Sequence, residues 1–257
     1  MMTITTTKIV KEKDFHNEVF GGNNDAREKA NEKYYSITQA IINYYSDLLL
    51  AHCANKDVLE YGCGLSSYSY FLVRNGAASA KGIDISDVAI QQANARAREE
   101  GLQDKMDFLV MDAENLEFAN DTFDLICGNG IIHHLDLHKA YRELSRTIKP
   151  DGTVVFSEPL GHNPLINLFR KLTPGIRTED EHPLLMKDIE LAKTYFDSVE
   201  LKYFYLATLA LSPFRKFPAF SSLVKFADRF DNMLFRALPF IRKHAWMAVI
   251  VLKKPKL

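Results

Sequence analysis

Five short apolar runs, each closing on a polar residue and each followed by a helical or turn pattern, dominate the middle of this chain. Val58–Tyr61 carries Glu60 into a Gly62-Cys63-Gly64 turn, and Ala80–Ile83 ends at Asp84. Met106–Met111 ends at Asp112, Phe123–Cys127 ends near Asn129, and Thr153–Ser157 ends at Glu158-Pro159. Runs of this length, bounded by turn signals, read as strands buried on both faces. The segments between them are amphipathic. One extends from Ser66 to about Asn75, and Ser86 caps a second carrying Val88, Ala89, Ala93 and Ala97. Asp136 opens a third with Leu137, Ala140, Leu144 and Ile148 on one face, and Lys149-Pro150-Asp151-Gly152 reads as the turn that follows it. Apolar strands alternating with amphipathic helices predict an α/β fold, a mostly parallel sheet covered by helices on both sides. In such sheets ligands bind beyond the carboxyl ends of the strands. Glu60, Asp84, Asp112, Asn129 and Glu158 are therefore expected along one edge.

The first of these corners is built to bring backbone N–H groups close to a ligand. The nearest general pattern is G-x-G-x-x-G, with an acidic residue about 20 positions later to hold a ribose hydroxyl. Asp84 stands at a suitable distance, but Ser67 occupies the third glycine position. That departure weighs against a pyrophosphate ligand, and so against an NAD-dependent oxidoreductase.

The flanks read differently. Residues 1–25 are polar, with Gly21-Gly22-Asn23-Asn24 as a breaker, and suggest a loosely ordered lead-in. From Ala26 the spacing turns helical, with Ile37, Ile41, Tyr44, Tyr45, Leu48 and Leu49 on a stripe. Tyr34 and Tyr35 near its start are either packing aromatics or part of a lid over a ligand. Residues 1–54 thus form a helical cap, and 55–257 a core with insertions at about 160–185 and 210–243. The first insertion ends in Arg177-Thr178-Glu179-Asp180-Glu181-His182-Pro183. A helix over Lys187–Tyr195 and a strand from Val199 to about Leu206 follow it. The chain closes with a strand over Ala245–Leu252 that contains the only tryptophan, Trp246.

A net charge of −1 offers no electrostatic footprint for nucleic acid. The three scattered cysteines form no C-x-x-C pair, so reduced thiols in a cytoplasmic protein are expected. Met1–Lys13 lacks the apolar core of a secretory signal, and no window is apolar enough to span a membrane. The histidines lack the spacing of a metal site, and none is expected.

Taken in order, the motifs resemble those of the class I S-adenosylmethionine-dependent methyltransferases. They are Glu60-X-Gly62-Cys63-Gly64, Gly82-Ile83-Asp84-Ile85-Ser86, Met111-Asp112-Ala113-Glu114, Phe123-Asp124-Leu125-Ile126 leading to Gly130-Ile131-Ile132-His133-His134-Leu135, and Lys149-Pro150-Asp151-Gly152. The likeness covers roughly residues 55–160 and is nearest to the ubiquinone/menaquinone and natural-product branch. It implies a Rossmann-like, doubly wound, seven-stranded sheet whose last strand is antiparallel, and S-adenosyl-L-methionine as cofactor. It also implies Tyr34, Glu60, Gly62, Cys63, Gly64, Asp84, Ile85, Asp112, Ala113 and Asn129 as cofactor-binding residues. Gly62 and Gly64 would admit the methionyl and ribose portion, with Glu60 near the ammonium. Asp84 would hold the ribose hydroxyls, Asp112 and the Ala113 amide the adenine, and the Asn129 backbone the methionyl end. Ser66 replaces the family's third glycine, and no Asn-Pro-Pro-Tyr or Asp-Pro-Pro-Tyr sequence follows the fourth strand, which argues against methylation of nucleic-acid bases.

Methyl transfer from a sulfonium is an in-line displacement that needs a base only when the acceptor arrives protonated. His133, His134 and His182 are the candidate bases, each with a structural alternative, packing for the first two and a salt-bridged loop for the third. Glu158, His162 and Arg177 are candidates for the acceptor side. The expected acceptor is a small hydrophobic or aromatic metabolite, methylated on oxygen or nitrogen. A membrane-associated lipid or quinone methyltransferase and a non-catalytic cofactor-binding module stand as alternatives. The phenylalanines of residues 210–243, set among Arg215, Lys216, Lys225, Arg229, Arg236 and Arg242, have three readings: a lid, a membrane-surface element, or packing against the sheet edge or a second subunit.

Overall fold

The computed structural model describes residues 10–18, 21, 36–173 and 182–256. Seven strands form one sheet: β1 (Asp57–Tyr61), β2 (Ser79–Asp84), β3 (Met106–Val110), β4 (Phe123–Asn129), β5 (Ile148–Pro159), β6 (Phe196–Phe204) and β7 (Met247–Pro255). Their spatial order is β3-β2-β1-β4-β5-β7-β6. β7 runs antiparallel to both of its neighbours, while β1 to β5 pair in parallel. The order reverses at β1, which lies between β2 and β4, so the switch point falls at the Gly62–Gly64 corner. The expected α/β architecture with an antiparallel last strand is therefore the one found.

Successive strand residues feed opposite cores, which is why the strands read as unbroken apolar runs rather than alternating ones. Val58, Leu125, Cys127 and Val155 face one layer with α1 (Gln39–Cys53), α2 (Ser69–Arg74) and α3 (Asp87–Glu99). Leu59, Ile126, Val154 and Phe156 face the other, with α4 (Leu137–Thr147), which precedes α5 (Pro164–Leu172), and α6 (Met186–Leu191). Each such side chain, removed from water, contributes about 1.5–3 kcal/mol before the entropy of ordering it. Ser86 and Asp136 cap α3 and α4 as expected, accepting from the amides of Ala89 and of His138 and Lys139.

Three local expectations change. Lys149–Gly152 is an irregularity inside β5, not a turn before it, since the pairing jumps from Phe123↔Ile148 to Leu125↔Thr153. Residues 10–18 are helical rather than a loose lead-in. The helix after the first insertion ends at Leu191 and gives way to a 3-10 turn, Ala192–Thr194. Between β6 and β7 the second insertion folds as a 3-10 segment (Ala207–Phe214), α7 (Phe220–Ala237) and a second 3-10 segment (Pro239–His244). Among the described residues, no helix is long and apolar enough to cross a membrane.

Candidate functional site

The corner after β1 needs glycine for reasons visible in its backbone. Gly62 and Gly64 have φ of +62° and +46°, in the left-handed region that side chains disfavour. A Cβ on Gly62 would also lie 2.9 Å from Ile131 Cγ1, so the β1 and β4 loops close on each other through that contact. The Cys63 amide donates to the Ile83 carbonyl at 3.0 Å, and the Gly64 amide to Asp84 Oδ2 at 2.9 Å. The turn is thereby clamped to the end of β2.

Beyond these strand ends lies a cavity of about 210 Å³. Gly62, Gly64, Asp84, Ile85, Asp112, Ala113 and Asn129 all border it, so seven of the ten sequence-derived cofactor residues come together. Asp84 is oriented by the Gly64 amide on Oδ2 and the Ser86 amide on Oδ1, both at 2.9 Å. Each of those oxygens keeps a lone pair for a ligand hydroxyl. Asp112 takes the Glu114 amide on Oδ1 at 2.8 Å, which leaves Oδ2 for an incoming donor. Glu114, also on the wall, is itself held by Lys139 Nζ at 2.8 Å.

Glu60 does not border the cavity. Its buried carboxylate turns into the loop and collects the Ser67 hydroxyl, the Tyr68 amide at 2.8 Å, the Ser69 amide at 3.0 Å and the Ser69 hydroxyl at 2.6 Å. Burial pushes its pKa up, and those four hydrogen bonds pull against that rise. Cys63 is likewise buried behind the loop, against Gly82, and burial pushes its thiol upward. Tyr34 lies outside the described residues.

The three histidines separate. His133 is buried, and its Nδ1 lies 2.7 Å from Glu158 Oε2. The other oxygen of Glu158 accepts the Ile131 and Ile132 amides at 2.9 and 3.0 Å. Glu158 is wholly buried, so the expected acceptor-side carboxylate instead fixes the turn after β4. His134 borders the cavity; its Nδ1 is 3.7 Å from Glu12 Oε1 and its ring centroid 6.1 Å from that of His16. His182 is exposed and meets this turn through its backbone, donating to the His133 carbonyl at 3.3 Å. His162 does not border the cavity, accepting instead from the Met186 amide at Nε2 and receiving His244 Nδ1 at its carbonyl. Burial, Lys243 and His244 lower its pKa. Arg177 lies outside the described residues.

Sequence reasoning missed Glu12 and His16, which border the cavity from the helical segment 10–18. That segment docks through Asn17 Nδ2 on Asp87 Oδ1 at 2.8 Å, the Ser86 hydroxyl on Asn17 and the Lys13–Asp87 ion pair at 3.3 Å. Only the i, i+4 spacing of Glu12 and His16 could have signalled it. Met111, Ile131 and Leu135 supply the apolar wall, and all three stood inside the motifs.

Residues 59–156 match the family described as Methyltransferase domain. The methyltransferase GfsG of Streptomyces halstedii is 31% identical over 126 residues, 49% of this chain and 45% of that protein. Norajmaline N-methyltransferase of Rauvolfia serpentina is 33% identical over 135 residues, 51% of this chain and 44% of that protein. The chain thus spans less than half the length of either relative. Among solved structures, phosphoethanolamine N-methyltransferase 2 of Haemonchus contortus in complex with S-adenosyl-L-methionine superposes with a TM-score of 0.59 at 20% identity, covering 82% of this chain and 53% of that one. At that identity the superposition speaks for the fold alone. The motifs, their convergence on one cavity and the family match fall on the same stretch: residues 59–156 are similar to a methyltransferase domain.

Proposed function

We propose that the protein methylates oxygen or nitrogen of a small, hydrophobic or aromatic metabolite, with S-adenosyl-L-methionine as donor. The observation that carries this reading is the convergence of the glycine corner, Asp84 and Asp112 on one cavity at the switch point of the sheet. When bound, the cofactor supplies an electrophilic methyl group on a sulfonium. Asp84 accepts from the ribose hydroxyls with the lone pairs its two amide contacts leave over, and Asp112 with the Ala113 amide reads the adenine edge. The Asn129 backbone and the glycine corner take the methionyl end. Glu60 acts through the loop it holds rather than by touching the ligand.

A displacement of this kind is served mainly by alignment and by exclusion of water. Ile131 and Leu135 on the wall, and residues 10–18 above it, serve the second need, as a cap contributed by the 1–54 region. In this reading His134 takes the proton from an acidic acceptor, supported by its position on the cavity wall and by the hold of Glu158 on His133. The names of the relatives, an alkaloid N-methyltransferase among them, support a small-molecule acceptor. The buried free thiols of Cys53, Cys63 and Cys127 are in keeping with a cytoplasmic setting.

Calorimetric titration with S-adenosylhomocysteine tests the cofactor assignment. Asp84→Ala is expected to weaken binding by roughly 1–3 kcal/mol through lost charge-assisted hydrogen bonds. Unchanged affinity would sink the ribose role, and saturable binding of NADH instead would restore the oxidoreductase reading.

A further inference from the structure

Residues 207–244 leave the sheet after β6 and return at β7, and the methyl-transfer site makes no use of them. This segment holds seven lysines and arginines against two aspartates, in a chain whose net charge is −1. Both aspartates turn inward. Asp231 is buried and accepts from the Leu206, Ala207 and Thr208 amides at 2.8, 2.8 and 3.2 Å and from the Thr208 hydroxyl at 2.7 Å. Asp228 lies on the same side, half-buried, 3.4 Å from that hydroxyl. The outward face of α7 therefore carries no carboxylate.

That face carries large apolar side chains instead. Phe226, Phe230 and Met233, spaced to share one stripe, are 70%, 39% and 55% exposed. Phe214 and Phe240 on the flanking 3-10 segments, and Phe217 in the turn before α7, are also exposed. Lys225, Arg229 and Arg236 run alongside the stripe. With Lys202 of β6 and Arg242, two of them edge a notch in which Lys202 Nζ donates to Asn232 Oδ1 at 2.5 Å and lies over the Phe204 ring, 5.9 Å from its centroid. None of Lys202, Arg229, Arg236 and Arg242 enters an ion pair among the described residues.

We infer that residues 207–244 dock the protein on an anionic bilayer surface, with α7 in the plane of the interface, its aromatic stripe at the acyl boundary and its cations at the lipid phosphates. Exposed aromatics edged by uncompensated cations are complementary to such a surface. A two-fold dimer through this face would set these cations against their own copies, which disfavours a second subunit. The register places the docking segment sensibly. Phe204↔Met247 and Pro159↔Met247 put both of its ends at the carboxyl edge of the sheet, the edge that carries the cavity. α5 joins it there: Asn163 Nδ2 donates to the His244 carbonyl at 2.7 Å, and α5 presents exposed Leu165, Leu168 and Leu172.

Co-sedimentation of the full chain with vesicles tests this, using phosphatidylcholine alone and phosphatidylcholine mixed with phosphatidylserine. Pelleting is expected with the mixed vesicles only, and should weaken with added salt. The Arg229→Gln/Arg236→Gln pair should lower the partition coefficient roughly 30-fold, and Phe226→Glu/Phe230→Glu should abolish pelleting. Retained S-adenosylhomocysteine affinity in these variants shows that they fold and keeps the result separate from the methyl-transfer reading. The inference is overturned if the wild-type chain stays in the supernatant with mixed vesicles, or if neither pair of substitutions alters pelleting. It is overturned equally if light scattering shows a dimer that Phe226→Glu/Phe230→Glu makes monomeric while no vesicle binding occurs.

Discussion

The β1–β4 half of the sheet and the β5–β7 half use their polar groups in different ways. Around β1–β4, carboxylates at the strand ends are oriented by one or two backbone amides each and keep acceptor capacity facing a cavity, as Asp84 and Asp112 do. In the other half, two carboxylates, Glu158 and Asp231, are spent inside the protein. Glu158 is divided between two amides and His133, and Asp231 closes the start of the 207–214 segment. What residues 207–244 offer outward is apolar or cationic. A partly satisfied carboxylate on a rigid strand end serves recognition, whereas a fully satisfied one serves shape. Glu60 shows that the division follows hydrogen-bond accounting rather than position, since it sits in the recognition half yet is buried and accepts four hydrogen bonds from its own loop.

Glu60→Ala would break the comparison most severely. It leaves the Ser67 and Ser69 hydroxyls and the Tyr68 amide without an acceptor, with the Ser69 amide keeping only Ser67 Oγ at 3.1 Å, and about 3–5 kcal/mol of stability should be lost in urea unfolding, together with cofactor affinity. Loss of affinity with unchanged stability would instead mean direct contact with ligand. The two adjacent histidines come next. His134→Ala should lower kcat roughly 100-fold for a protonated acceptor, with little change in stability. His133→Ala should do the reverse, costing about 2 kcal/mol by leaving Glu158 short of a partner, with kcat little changed. If the two exchange these phenotypes, the base has been assigned to the wrong ring.

The smallest effect is expected at Asp228. Burial, then the neighbouring Asp231 charge, raises its pKa from 3.8 to about 6, against the Thr208 hydrogen bond. A carboxyl group whose folded pKa lies above its unfolded value binds more protons in the folded state between the two. Stability therefore falls as pH rises from about 4 to 6. Asp228→Asn should stabilise the protein at pH 7 by about 1 kcal/mol, allowing for solvent screening of a half-buried group. The gain should vanish below pH 4 in thermal melts. A gain that persists there would point to a cause other than this charge.

If vesicle binding holds, the comparison sharpens into a division of labour. One half of the carboxyl edge would hold the methyl donor and the other would bring the protein to a surface. The acceptor would then be sought among lipid-soluble molecules, the class of the membrane-associated alternative.

Much of this was legible in the residues themselves. Apolar runs ending in Glu60, Asp84, Asp112, Asn129 and Glu158 specify buried parallel strands, because only a strand covered on both faces tolerates such runs. The left-handed φ of Gly62 and Gly64 is likewise a property that glycine advertises in sequence. What the sequence could not decide is where a side chain spends its hydrogen bonds. Glu60 and Asp84 look alike along the chain, but one faces its own loop and the other a cavity. His133 and His134 are neighbours, yet one is taken up by the buried Glu158 and the other lies at the cavity beside Glu12. Residues 10–18 have too few apolar side chains to announce a helix, and their contacts with Ser86, Asp87 and His134 place them over the cavity. Backbone conformation and burial follow from local residue type and period. The allocation of polar partners depends on contacts between distant segments, and only the tertiary structure settles it.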